Sequence, residues 1–155
     1  MDSHYLWLKS LHLFGVMIFM GNIIVTGWWK YMADRTRNPQ VIAFAQRQVT
    51  LTDYVFTATG AAIVLAAGWT AAAAQGLPPL FWLSWGLGLF TASGIIWAAI
   101  LIPVQHRQAK MAREFEAGGI IPAEYWQLCR RWVIWGVIAT VLPLINIYLM
   151  VVKPS

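Results

Sequence analysis

Charged residues are scarce in this sequence. Asp, Glu, Lys and Arg make up 11% of its 155 residues, and hydrophobic residues make up 59%. An average soluble domain is about 25% charged. A single soluble core of this size cannot enclose so much apolar surface, so the composition excludes an ordinary soluble domain and predicts a chain that is solvated by lipid.

Cysteine and the common catalytic motifs are also lacking. The single Cys129 excludes a disulfide within the chain, and we interpret it as a small apolar residue. The sequence has no Gly-rich phosphate loop, no Ser-His-Asp order and no zinc-ligand spacing, which excludes a P-loop enzyme and a soluble-type hydrolase. The 11 basic residues exceed the 6 acidic ones, but they do not form one basic face, so no nucleic-acid partner is expected.

Four long apolar runs are present instead. About 20 residues, at about 1.5 Å each, cross a hydrocarbon core of about 30 Å. The first run is too long for the core of a signal peptide. The runs predict an all-α fold, an integral membrane four-helix bundle in one transmembrane domain (1–155), with the lipid bilayer as its surroundings. The predicted helices cover about residues 6–29, 51–74, 80–103 and 132–152.

The basic residues predict the orientation of the bundle. Nine of the eleven Lys and Arg residues fall in two polar segments, 30–50 and 105–131. By the positive-inside rule these two basic loops are cytoplasmic and both termini lie outside, in the inner membrane of a bacterium. We expect Lys30 to snorkel at the interface, residues 41–49 to lie along the membrane surface, and the second loop to break at Gly118-Gly119 and Pro122.

His12 lies inside the first run, roughly 9 Å deep by the helical rise. Counting to the same depth in the other helices predicts an outer polar layer of Gly68, Trp69, Gly86 and Asn146. Because ionisable groups in lipid are costly, His12 needs a partner or a function. It is a candidate haem or metal ligand or a proton acceptor, with Asn146 as partner of its second nitrogen. The alternative is a buried histidine that joins helices.

A second polar layer is predicted nearer the cytoplasmic side. Asn22 is level with Thr57 and Trp97, and Thr26 lies one turn further in, close to Asp53. These side chains form either a path for protons or a polar substrate, or a set of structural hydrogen bonds between helices. We expect Asp53 to form an ion pair with the basic residue Arg47 at the membrane interface.

Four segments carry a resemblance to an uncharacterised bacterial family of integral membrane proteins (DUF2269): Tyr5 to His12, Gly21-Asn22, Trp28 to Lys30 and Leu51 to Asp53. The first of these segments is also similar to the opening of the four-helix membrane protoporphyrinogen oxidases and, more distantly, to copper-resistance membrane proteins. In the haem-synthesis group the histidine of the first helix is linked to haem binding. The resemblance places His12 at the matching position.

The leading functional prediction is a membrane protein that binds haem b through His12 and has a redox role. One alternative is a cofactor-free accessory or scaffold subunit of a membrane complex, which would need a partner subunit. Another is a small transporter that works as a homo-oligomer.

Overall fold

Four long helices make up the computed structural model, which describes residues 3–76 and 81–154. They are α1 (Ser3–Thr36), α2 (Pro39–Ala74), α3 (Phe81–Phe115) and α4 (Ala123–Val152). Each is long and apolar enough to cross a membrane, and the two described ranges contain no strand. The predicted all-α, four-helix membrane fold is confirmed, while its orientation stays a prediction. The expected turn at 77–79 and the expected first residue of the third helix, 80, lie outside the described residues.

The prediction of a polar loop over residues 30–50 is wrong. Residues 30–50 are almost entirely helical, because α1 continues to Thr36 and α2 already begins at Pro39. The Asn38 side chain accepts hydrogen bonds from the main-chain N–H groups of Gln40 and Val41, which caps the new helix. Proline at the first helical position favours the same start. Residues 41–49 therefore belong to α2 and do not form a separate surface segment.

The second connection breaks where the sequence predicts. Gly118 has φ 98°, a value that favours glycine, and the N–H groups of Gly118 and Gly119 both donate to the carbonyl of Phe115. Pro122 precedes the first residue of α4. The helices on either side extend up to this turn, beyond their predicted membrane spans, since α3 ends at Phe115 and α4 begins at Ala123.

Both central helices contain a π-helical segment. In α2 it covers Asp53–Ala58, and in α3 it covers Trp97–Leu101. A π-turn closes with one more residue than an α-turn and is frequently found at functional sites. The two segments begin with Asp53 and Trp97, two residues of the predicted inner layer.

The helices pack as two pairs, α1 with α2 and α3 with α4. Glycine allows the close approach in the first pair, because a Cβ on Gly60 would lie 2.8 Å from the main-chain nitrogen of Phe19. In the second pair the Ser93 hydroxyl donates to the Ala139 carbonyl at 2.7 Å. Contacts between the pairs concentrate at the end of the bundle that carries residues 30–50 and 105–131. We call this the basic end.

Candidate functional site

A cavity of about 580 Å³ lies between the two helix pairs, at the level of the π-helical segments. Its walls are largely apolar and include the aromatic rings of Phe19, Phe90 and Trp132. Asp53 and the Trp97 side chain also line it. We call it the Asp53 cavity. Its volume is in the range of pockets that hold small molecules and cofactors.

The predicted inner layer comes together at Asp53. The Asn22 amide donates to the Thr57 hydroxyl oxygen at 2.9 Å and lies 3.4 Å from Asp53 Oδ1. The Thr57 hydroxyl donates in turn to Asp53 Oδ1 at 2.9 Å, and Thr26 donates to the Asn22 carbonyl at 2.6 Å. These bonds fix one oxygen of the carboxylate and link α1 to α2.

Helix α3 contributes two further polar side chains to this site. The side chains of Trp97 and Gln105 lie close to the Asp53 carboxylate, on the facing helix. The Trp97 indole N–H is buried and has no acceptor within hydrogen-bond distance. The cavity therefore holds an acceptor and an unpaired donor side by side in an apolar surrounding, where each unmade hydrogen bond is costly.

Arg47 is not part of this layer. Its guanidinium binds both carboxylate oxygens of Glu116 at 2.6 Å, at the exposed surface of the basic end. The predicted Asp53–Arg47 ion pair is wrong. Six residues at about 100° each place the two side chains on different faces of the same helix.

The Asp53 cavity opens towards lipid. Trp28 and Tyr31 from α1, and Val137 and Val141 from α4, line it and are also exposed on the outside of the bundle. Since these residues lie on spanning helices, the mouth between α1 and α4 faces the bilayer. A ligand that dissolves in the membrane can enter without crossing water.

His12 has a different partner from the one predicted. Its Nδ1 lies 2.9 Å from the main-chain carbonyl oxygen of Val64, and not against Asn146. Because a carbonyl oxygen only accepts, Nδ1 carries a proton, and in the neutral ring the lone pair is then on Nε2. Gly68 leaves the room for this ring, since a Cβ there would lie 2.9 Å from Nδ1.

The predicted outer layer is divided between the two helix pairs. Gly86 packs against Asn146, and a Cβ on Gly86 would lie 2.5 Å from the Asn146 Oδ1 atom. That buried oxygen has no hydrogen-bond partner. Trp69 is 70% exposed on the outer surface of the bundle. Of the predicted residues, only Gly68 lies against the His12 ring.

Within residues 3–76 and 81–154, no three His, Cys, Asp or Glu side chains come together as ligands of a metal ion.

Comparison with known proteins identifies a family for this chain. Residues 6–154 fit the model of a family described as predicted integral membrane protein (DUF2269). The chain belongs to this family. No curated protein and no solved structure matches the chain.

A buried charged cluster in this DUF2269 protein was not predicted from the sequence. Lys30 does not snorkel, because its side chain is only 2% exposed. Its ammonium donates to Asp34 at 3.0 Å and to the Tyr125 hydroxyl oxygen at 3.1 Å, and it lies 3.8 Å from Cys129 Sγ. Tyr125 also donates to Asp34 at 3.0 Å. The i, i+4 spacing of Lys30 and Asp34 was the available sequence signal.

Proposed function

We propose that this DUF2269 protein binds a lipid-soluble quinone or quinol in the Asp53 cavity and has a redox role in the membrane. The observation that carries the proposal is an apolar cavity, open to lipid, in which a carboxylate and an unpaired indole N–H lie side by side. A quinol hydroxyl can donate to the Asp53 carboxylate, and a quinone carbonyl can accept from Trp97. The aromatic residues Phe19 and Phe90 offer a surface for the flat ring.

Gly136 provides the test of this proposal. It lines the cavity, and a Cβ there meets no protein atom within 4 Å. Gly136→Leu should therefore fill the cavity without a clash inside the protein. We expect the affinity for decylubiquinone, measured by quenching of tryptophan fluorescence in detergent, to fall at least tenfold, or about 1.4 kcal/mol.

Gly88→Leu is the matched control, because Gly88 also has open space at its Cβ but does not line the cavity. It should bind decylubiquinone like the unmodified protein. Asp53→Asn and Trp97→Phe should each weaken binding without filling the cavity. If the unmodified protein does not bind decylubiquinone, or if Gly136→Leu binds it equally well, the proposal is wrong. Co-purification with a partner chain would then favour an accessory subunit.

Haem b binding through His12 is a second candidate function. The hydrogen bond from Nδ1 to the Val64 carbonyl supports it, because metal-binding histidines commonly donate their other nitrogen to such an acceptor. His12 Nε2 would be the atom that holds the haem iron. A bound haem would supply one-electron chemistry. The similarity of Tyr5 to His12 to the opening of the protoporphyrinogen oxidases supports the same proposal.

A visible spectrum before and after dithionite tests the haem proposal. For protein made in cells supplied with haem precursor, we expect a Soret band that shifts on reduction. His12→Ala should lose this band, because the only proposed axial bond is removed. His106→Ala should keep it, since His106 lies exposed on α3 at the basic end. A colourless unmodified protein, or full haem occupancy in His12→Ala, would contradict the assignment.

A further inference from the structure

Buried polar side chains continue from Asp53 towards the basic end. The Gln105 side chain lies close to the Asp53 carboxylate. Its Oε1 accepts a hydrogen bond from the Trp132 indole at 3.4 Å. The Gln46 amide donates to the Gln105 main-chain carbonyl, also at 3.4 Å. Gln46 and Gln105 are at most 2% exposed. Burying polar groups inside a membrane bundle costs free energy, so we expect these side chains to have a structural or functional role.

The next group along this course is Gln108, one helical turn beyond Gln105. It is fully buried, and its amide donates to Cys129 Sγ at 3.1 Å. The Oε1 atoms of Gln46 and Gln108 have no hydrogen-bond partner. Buried acceptors of this kind are normally satisfied by an internal water molecule. Gln46 is bonded to Gln105 near Asp53, and Gln108 is bonded to Cys129 near Lys30. Water at these two acceptors would join the two groups.

The buried polar side chains end at the charged cluster of Lys30, Asp34 and Tyr125. Lys30 is hydrogen-bonded to Tyr125 and Asp34, and Tyr125 is bonded to Asp34 as well. Asp34 is 14% exposed, so it is the member of the cluster that meets solvent. In the opposite direction from Asp53, the buried residues of the α1–α2 interface are apolar: Gly15, Phe19, Gly60, Val64 and Ala67. Between α1 and α2, the described buried polar side chains therefore continue from Asp53 towards the basic end and not beyond Gly60 in the other direction.

We propose that these side chains form a proton route between the basic end and Asp53. A proton from bulk water enters at Asp34, passes along the internal waters held by Gln108, Gln46 and Gln105, and forms an O–H bond on the Asp53 carboxylate. No electron moves in this step. Its titratable groups are Asp34, Lys30, Tyr125, Cys129 and Asp53. The inference rests on the proposed function, because a quinol at Asp53 would exchange its hydroxyl proton with this route.

Time-resolved infrared spectroscopy after a pH jump tests the route without any quinone. The C=O band of protonated Asp53 is identified as the band that Asp53→Asn removes. Gln105→Leu takes away the polar group next to Asp53, so we expect the protonation of Asp53 to slow at least tenfold. Gln108→Leu should slow it as well, while the equilibrium height of the band at low pH stays unchanged.

Gln127→Leu is the control, because Gln127 is an exposed glutamine on α4 and should leave the rate unchanged. Circular dichroism confirms that each variant is folded. Equal rates in folded Gln105→Leu and Gln108→Leu would overturn the route. Decylubiquinone binding is measured separately, so a slowed rate without quinone binding would support the proton route and reject the proposed ligand.

Discussion

Replacing Lys30 with methionine is expected to destabilise the protein by about 3–5 kcal/mol, the usual cost of removing one partner of a buried ion pair. Methionine keeps most of the length of the side chain, so the loss arises from electrostatics and not from a cavity. The ammonium is the group that Asp34, Tyr125 and Cys129 share. Without it, the Asp34 carboxylate keeps only the Tyr125 hydroxyl as a donor. Unfolding in a denaturing detergent titration measures the change.

The double variant Lys30→Met/Asp34→Asn separates charge from packing. Neutralising Asp34 removes the uncompensated carboxylate, so the double variant should be more stable than Lys30→Met alone. Lys110→Ala is the control, because Lys110 is an exposed lysine of the basic end and such substitutions change stability by less than about 0.5 kcal/mol. A Lys30→Met protein as stable as the Lys110→Ala control would show that the buried cluster contributes little.

Gly60→Leu should separate α1 from α2 and reduce stability by at least about 3 kcal/mol, the upper range for overpacked interiors. A Cβ would meet the Phe19 nitrogen at 2.8 Å, the Phe19 Cβ at 3.0 Å and the Gly15 carbonyl oxygen at 3.1 Å. None of these atoms can move aside as the end of a flexible side chain can. Gly60→Ala should reduce stability less than Gly60→Leu does, by about 1–3 kcal/mol. Thermal unfolding followed by circular dichroism provides the comparison.

Gly21→Leu is the matched variant for Gly60→Leu. Gly21 lies on α1, and a Cβ there meets no atom within 4 Å, so the new side chain enters lipid. We expect little loss of stability. If Gly60→Leu and Gly21→Leu unfold alike, close packing of the first helix pair does not hold α1 against α2.

The apolar runs predicted the four helices, but not where they end at the basic end. The runs stop where charge begins, whereas the helices continue because the polar segments have their own buried face. In that face Ile42, Ala43, Ala112 and Phe115 pack around Tyr125. Hydropathy measures the fit to lipid, and it does not detect a helix that extends beyond the lipid and packs on protein.

Counting depth along the helices predicted part of the candidate site. It placed Asn22 level with Thr57, which the hydrogen bond between them confirms. It could not predict that Asn146 faces Gly86 and not His12, because depth does not determine which helices are neighbours. The π-helical segments carried no sequence signal either. Each adds one residue to a turn, which rotates the following part of the helix by about 100°.

The position of the cavity mouth determines which molecules compete with a ligand for the Asp53 cavity. Because the mouth between α1 and α4 faces acyl chains, lipid is always present as a competitor, and each binding event is an exchange of one membrane component for another. The relevant concentration is then the mole fraction of the ligand in the bilayer. Among ligands with the same head group, a longer isoprenoid tail should lower the apparent dissociation constant in water through partitioning alone, with no new contact to the protein.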